Sequence, residues 1–234
     1  MPSSEVTHTS AANPLWNPWC NDRGTFELYR RRCREEAEEM TCAGQAAEIL
    51  AERVGPGETL LDAGCGGGYY LHALRRRGVP VEYHGLDFTP EMIALAREEM
   101  CPRAGLARER FTVGTIEGLD QDYDNILCFN VLTNCPHYGL ALEAMLAHAR
   151  RRVVLRESLG DDLVIRYTPD PYLDEGKRHI RVYHNIYPLA EIVSLMEERG
   201  FQVTQVPDRR SGDGVEMVVD LPHYWRILVA ERSI

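Results

Sequence analysis

From about residue 43 onward, short apolar runs alternate with stretches whose apolar residues recur at helical spacing. The runs at 60–63, 81–86, 110–113, 125–130, 153–155, 201–206 and 225–230 read as strands. The stretches at 67–77, 90–101, 139–150 and 188–199 read as helices, and Gly200 is a suitable residue just past the end of the last one. This alternation predicts an α/β fold, with a mostly parallel sheet covered by helices on both faces. The last two strands have no helix between them, which predicts an antiparallel pair joined by a polar loop at 208–221.

Two further regions flank or interrupt this pattern. Residues 1–22 read as a mobile arm, partly docked through Trp16 and Trp19. Helices are expected at 24–40 and at 42–54, the second capped by Thr41 and stopped by Gly55-Pro56-Gly57. The stretch 161–187 is irregular, but Val164-Ile165-Arg166-Tyr167 and Ile180-Arg181-Val182-Tyr183 alternate in polarity, which predicts a two-stranded flap. Such an insertion would lie near the carboxyl ends of the strands, the edge where open α/β sheets bind ligands.

The strongest chemical signal lies between the first strand and the first helix after it. Thr59-Leu-Leu-Asp-Ala-Gly-Cys-Gly-Gly-Gly-Tyr-Tyr70 places Asp62, Gly64, Gly66 and Gly68 in the pattern D-x-G-x-G-x-G, with Cys65 inside the loop. A loop of this kind turns sharply and brings backbone close to a ligand. The dinucleotide fingerprint G-x-G-x-x-G fails, because its sixth position is Tyr69 counting from Gly64 and Leu71 counting from Gly66. The second strand also ends in an acid, Asp87, which is well placed to accept hydrogen bonds from a ribose. Phe88 and the helix-starting Thr89-Pro90-Glu91 follow it.

These residues resemble the first two motifs of the class I S-adenosylmethionine-dependent methyltransferases, in the small-molecule branch. The resemblance covers about residues 43–234. It implies a Rossmann-like, seven-stranded sheet with an antiparallel last strand, an N-terminal helical extension over residues 1–42 covering the active site, and a cap insertion at 161–187. It implies S-adenosylmethionine as cofactor, its amino-acid end held by Asp62 and the Gly64–Gly68 loop, its ribose by Asp87, and its adenine by Phe88 and Ile116. Thr115 stands where many members carry an aspartate for the adenine amino group, so Thr115, Glu117 or backbone would make that contact. Asn130, at the end of the fourth strand, would lie beside the transferable methyl group.

Methyl transfer needs alignment and exclusion of water more than it needs a base. A base helps only where the acceptor must lose a proton. His137 is the candidate, with Tyr138 behind it, both just after the fourth strand. Tyr29, Tyr70, Arg166, Tyr167, Arg181, Tyr183 and His184 form the expected acceptor-facing set, and Glu157 could orient a base or a cationic acceptor. An arginine facing the cavity would imply an acidic acceptor, since a guanidinium pairs with carboxylate or phosphate. The expected reaction is methylation of an oxygen or nitrogen of a small molecule. The alternative is aminoalkyl transfer or cyclisation on the same fold.

Composition narrows the setting. With 26 basic and 36 acidic residues the formal net charge is -10, which disfavours a nucleic acid partner. No apolar run approaches a membrane span, and residues 1–13 lack the apolar segment of a secretory signal. The seven cysteines form no C-x-x-C pair, so reduced thiols in the cytoplasm are expected, with no metal site. A homodimer is compatible with all of this.

Overall fold

The structure, a computed structural model, describes residues 17–212 and 214–232. The expectations for residues 1–16, including docking through Trp16, lie outside the described residues. The central sheet is built from β1 (Thr59–Ala63), β2 (Glu82–Asp87), β3 (Phe111–Val113), β4 (Tyr123–Phe129) and β5 (Ala149–Gly160), with β9 (Phe201–Pro207) and β12 (Trp225–Arg232) at the far edge. Their order is β3-β2-β1-β4-β5-β12-β9, and a short β8 (Tyr187–Pro188) adds to the end of β5. The first five strands pair in parallel, and β12 runs antiparallel to both β5 and β9. The predicted antiparallel last strand is therefore present, inserted between β5 and β9.

The helices are α1 (Pro18–Asn21), α2 (Arg23–Cys33), α3 (Thr41–Ala51), α4 (Tyr70–Arg76), α5 (Pro90–Leu95), α6 (Cys101–Ala104), α7 (Gly139–His148) and α8 (Leu189–Glu198). One π-turn at Ala96–Met100 joins α5 to α6. Two apolar clusters sandwich the sheet. One gathers α3 and α4 around Leu50, Leu60, Leu74 and Phe111, and the other gathers α7 and α8 around Leu61, Ile126, Leu142, Val153 and Ile192. Alternate residues of β1 thus face opposite layers, as pleated strands require.

Three local expectations are corrected. The helix expected at 24–40 stops at Cys33, and Glu35 takes a left-handed φ of 59°. Acids oppose the negative end of a helix dipole, and Glu35 and Glu39 instead pair with Arg76 and Arg77 of the neighbouring segment. Thr41 is the first residue of α3 rather than its cap; Met40 holds that position without a side-chain bond. The loop expected at 208–221 contains half of a hairpin, β10 (Glu216–Val218) with β11 (Leu221–His223). Its turn residues Val219 and Asp220 both have positive φ, the geometry of a tight two-residue hairpin turn.

The flap of the insertion is present as β6 (Tyr167–Pro169) paired with β7 (Arg181–Tyr183). The N-terminal segment is tied to two distant parts of the chain. Asn17 Nδ2 donates to Thr89 Oγ1 at 2.8 Å. The Asp22 carboxylate accepts from the Asp174 N–H at 2.7 Å, while Asp174 accepts from the Arg23 N–H at 3.0 Å.

Candidate active site

The glycine loop leaves β1 directly after Ala63. The N–H groups of Gly64 and Cys65 both donate to the Leu86 carbonyl, at 2.7 and 3.0 Å, which folds the loop across the end of β2. Gly64 has φ +80°, and a Cβ there would lie 2.3 Å from a Val131 methyl. Gly68 has φ +78°, and a Cβ there would lie 2.4 Å from the Phe111 ring. Dihedral and space both demand glycine at these two positions.

The two strand-end acids meet at this loop. Asp87 is buried; its Oδ2 accepts from the Gly66 N–H and its Oδ1 from the Thr89 N–H, each at 2.8 Å. Burial pushes its pKa above the ordinary carboxylate value, and these backbone donors pull it part of the way back. Asp62 is buried, and the Tyr83 hydroxyl donates to its Oδ2 at 2.6 Å. Burial raises the Asp62 carboxyl to about 7.

Both acids line a narrow cavity of about 90 Å³, together with Trp19, Tyr29, Gly64, Cys65, Gly66, Tyr70 and Phe88. Beside it opens a wider cleft of about 640 Å³. Trp19, Tyr29, Met40, Asn130 and Asn134 belong to both, so the two spaces share one wall. Asn130 stands in that wall with φ +60°, a conformation asparagine tolerates better than most residues. Its backbone N–H donates to the Arg156 carbonyl at 2.8 Å, and its side-chain oxygen accepts from the Arg156 guanidinium. Arg156 is itself buried, donates from Nε to Asp208 Oδ1 at 2.6 Å, and lies 4.5 Å from the Trp225 ring centre.

A family profile describing a methyltransferase domain matches residues 33–206, most of the chain. The chain belongs to the class I S-adenosylmethionine-dependent methyltransferase family. Among curated relatives of this methyltransferase, malonyl-[acyl-carrier protein] O-methyltransferase of Serratia marcescens is 38% identical over 141 residues, 58% of this chain and 51% of that protein. The chloroplastic magnesium protoporphyrin IX methyltransferase of Arabidopsis thaliana is 35% identical over 114 residues, 46% of this chain and 35% of that protein. The matches thus span about half or less of the relatives' length. A crystal structure of magnesium protoporphyrin IX methyltransferase from Synechocystis PCC 6803 with bound S-adenosylmethionine aligns at 20% identity. It has a TM-score of 0.57 and covers 92% of this chain and 94% of its own. That likeness establishes the shared fold.

Within this methyltransferase the cavity gathers Asp62, Gly64, Cys65, Gly66, Asp87, Phe88 and Asn130 from the expected cofactor set, with Tyr29 and Tyr70 from the acceptor set. Gly68 lies just behind it, packed on Phe111. Thr115, Ile116 and Glu117 are outside the cavity wall; Ile116 is buried under α7, and Glu117 is exposed.

Several expectations for the acceptor side are corrected. His137 is exposed and lines neither space. Tyr138 turns away from both, its hydroxyl donating to Glu191 at 3.1 Å and its ring resting on Tyr187. Of the flap residues, Arg166 and Arg181 are exposed, Arg181 covers the Tyr167 ring, and Tyr167 stacks on Tyr183. None of these four lines the cleft, because the short flap satisfies its own side chains on its outer face. Only His184, directly after the flap, reaches the cleft. Glu157 orients no base: it is fully buried and accepts from the backbone N–H groups of Val131, Leu132 and Thr133 at 2.8 to 2.9 Å.

Sequence reasoning missed Met40, His223 and Trp225 as wall residues, and it placed Arg156 at the acceptor-facing strand edge, where the cleft has it. Arg156 carried a signal, being a charge at the end of an apolar strand. Met40 precedes α3, His223 ends β11 and Trp225 opens β12, and their meeting at the cleft depends on chain folding.

Proposed function

We propose that the protein transfers a methyl group from S-adenosylmethionine to an oxygen or nitrogen of a small-molecule acceptor, as a cytoplasmic enzyme. The observation that carries this reading is the shared wall at Asn130. On one side lie two buried carboxylates and a glycine cradle; on the other lies a cleft within the roughly 300–1,000 Å³ typical of ligand sites. The seven cysteines carry no disulfide, which supports the compartment. Three assays test the activity. Calorimetry must detect S-adenosylmethionine binding, and radiolabelled methyl must reach an acceptor. S-adenosylhomocysteine must be the product; methylthioadenosine instead would establish aminoalkyl transfer.

The residues fit the cofactor on chemical grounds. Asp62 is a buried acid with no cation beside it among the described residues, and the ligand's ammonium and sulfonium charges would supply one. Each Asp87 oxygen already accepts one backbone bond and retains a second lone pair for a ribose hydroxyl. Phe88, half-buried in the wall, offers a ring face to adenine. The bound cofactor would supply an electrophilic methyl. The chain's own part is to hold it, align the acceptor at Asn130 and keep water out.

The Asp62 carboxyl links binding to pH. Its folded value of about 7 lies above the ordinary 3.8, so the folded chain holds a proton that the unfolded chain has lost between these values. Stability of the free protein therefore falls as pH rises through that window. Cofactor affinity runs the other way, because the sulfonium prefers the ionised carboxylate. Calorimetry at pH 5.5 and 7.5 is expected to give tighter binding at the higher pH, with proton release near pH 6.5. A pH-independent affinity counts against Asp62 as a contact.

The cavity is also too small for a whole nucleoside while the arm lies over it. A Cβ on Gly66 would be 2.9 Å from the Tyr29 ring. Binding therefore displaces the Trp19–Tyr29 segment, held at one end by Asn17 on Thr89. Tryptophan fluorescence is expected to change on adding S-adenosylhomocysteine, and Trp19→Phe to remove most of that change. An undiminished change in the variant would refute the displacement.

A further inference from the structure

We propose that the cleft beside Asn130 takes a planar acceptor through a hydroxyl group seated against His184, His223 and Trp225. This deepens the methyltransferase reading above and rests on it. Four side-chain nitrogens here are buried without a hydrogen-bond partner among the described residues: His184 Nε2, His223 Nδ1, His223 Nε2 and Trp225 Nε1. They belong to three rings that touch. His223 stacks on Trp225 at 5.1 Å with 9° between planes, and His184 meets His223 edge-on at 6.0 Å. His184 and His223 are more than nine-tenths buried, and all three rings line the cleft. Buried polar groups are nearly always paired, so a cluster of four orphans marks a missing partner rather than a packing defect.

The orphans define what that partner must offer. Burial pulls the His223 imidazolium down to about 4, with the neighbouring His184 adding to the effect, and burial lowers His184 as well. Both rings are therefore neutral at pH 7. A neutral imidazole has one donor and one acceptor nitrogen, whereas an indole only donates. The two nitrogens of one imidazole point apart, so one group meets a single His223 nitrogen together with the Trp225 N–H: it must accept from the indole and donate to the ring's lone-pair nitrogen. A hydroxyl does both; a carboxylate cannot donate, and an ammonium cannot accept.

Charge in the cleft points the same way. Arg156 is matched by buried Asp208, and Arg210 by Glu216. The Arg32 guanidinium lies 5.4 Å from the ring centres of Tyr29 and of Tyr69. An acidic acceptor thus finds its deep cation already neutralised. The stacked His223–Trp225 pair gives the cleft an aromatic wall, which favours a flat molecule. The four nitrogens have no solvent contact in this form, so the hydroxyl reaches them only as the side chains over them move aside.

Three planar probes separate the chemistries: 2-naphthol, 2-naphthoate and 2-naphthylmethylamine, each titrated into protein saturated with S-adenosylhomocysteine. Nitrogen-resolved NMR reads the Trp225 indole signal, assigned by its loss in Trp225→Phe, and the imidazole nitrogens. The naphthol is expected to shift these signals and bind at least fivefold more tightly than the other two. His223→Phe is expected to weaken it at least tenfold, with S-adenosylhomocysteine affinity within twofold of the parent as the check on folding. His184→Asn serves as a second variant, with the same expectation, should the first misfold. Tighter binding of the acid or the amine, no binding by any probe, or naphthol binding indifferent to both substitutions overturns the inference. Failure of S-adenosylhomocysteine itself to bind, seen before any probe is added, instead overturns the methyltransferase reading and this inference with it.

Discussion

Replacing Asp87 with alanine is expected to weaken S-adenosylhomocysteine binding about 10- to 100-fold, or ~1.4–2.8 kcal/mol. The carboxylate at the end of β2 has two tasks that alanine ends together. It holds the Gly66 and Thr89 N–H groups, and so fixes the glycine loop against the start of α5. It also presents its remaining lone pairs where a ribose would lie. Hydrogen bonds to a charged group contribute about 1.5–3 kcal/mol each, so losing even one ribose contact reaches the lower bound. Calorimetry with the product measures this without turnover. Asp87→Asn separates the two tasks: its single oxygen can serve one N–H, while its amide group faces the other. Parent-like affinity in the alanine variant would remove Asp87 from the site.

Glu157→Ala is expected to cost the largest amount of stability of any single change near the site. Three consecutive backbone N–H groups, Val131 to Thr133, converge on this one buried carboxylate. Alanine leaves all three without an acceptor in a fully buried place, and each such group costs about 1–3 kcal/mol. The sum is on the order of 3–5 kcal/mol after local relaxation. For a chain of this length that lowers the melting temperature by roughly 10 °C. The loop so anchored carries Asn134 into the shared wall, so binding at the cavity should weaken together with stability. A melting temperature within about 2 °C of the parent would show that water or rearranged backbone replaces the acid.

The contrast between these two acids explains what a one-dimensional reading can reach. Asp87 was legible because its role is local: it ends a strand two motif-lengths from a glycine loop, and parallel strands deliver their carboxyl ends to one edge. Glu157 sits at an equally suggestive strand end and was read as an acceptor-side group. Its strand continues to Gly160, so at Glu157 the backbone is still inside the sheet region, and the side chain meets the turn after β4. Strand length, set by pairing with β12 as far as Ser158 and with β8 beyond it, decided between ligand contact and structural anchor.

His137 shows the same limit on a loop. A histidine just after the fourth strand has the right sequence neighbourhood for a base, yet the 3-10 turn Leu132–Asn134 carries the chain outward and leaves it exposed. His223 falls between the loop expected at 208–221 and the strand expected at 225–230 and was passed over, yet a turn with two left-handed residues brings it to the cleft.

By itself the chain determined its parallel α/β core, the glycine cradle, both strand-end acids and the reversed last strand. These depend on periodicity and on dihedrals that only particular residues adopt, and both are written locally. The tertiary structure alone decided the acceptor side: which arginine is buried, which histidines meet, and that the arm, the residue after the flap and the final hairpin close on one space. Those contacts join residues far apart along the chain, and no local pattern encodes a meeting that only packing brings about.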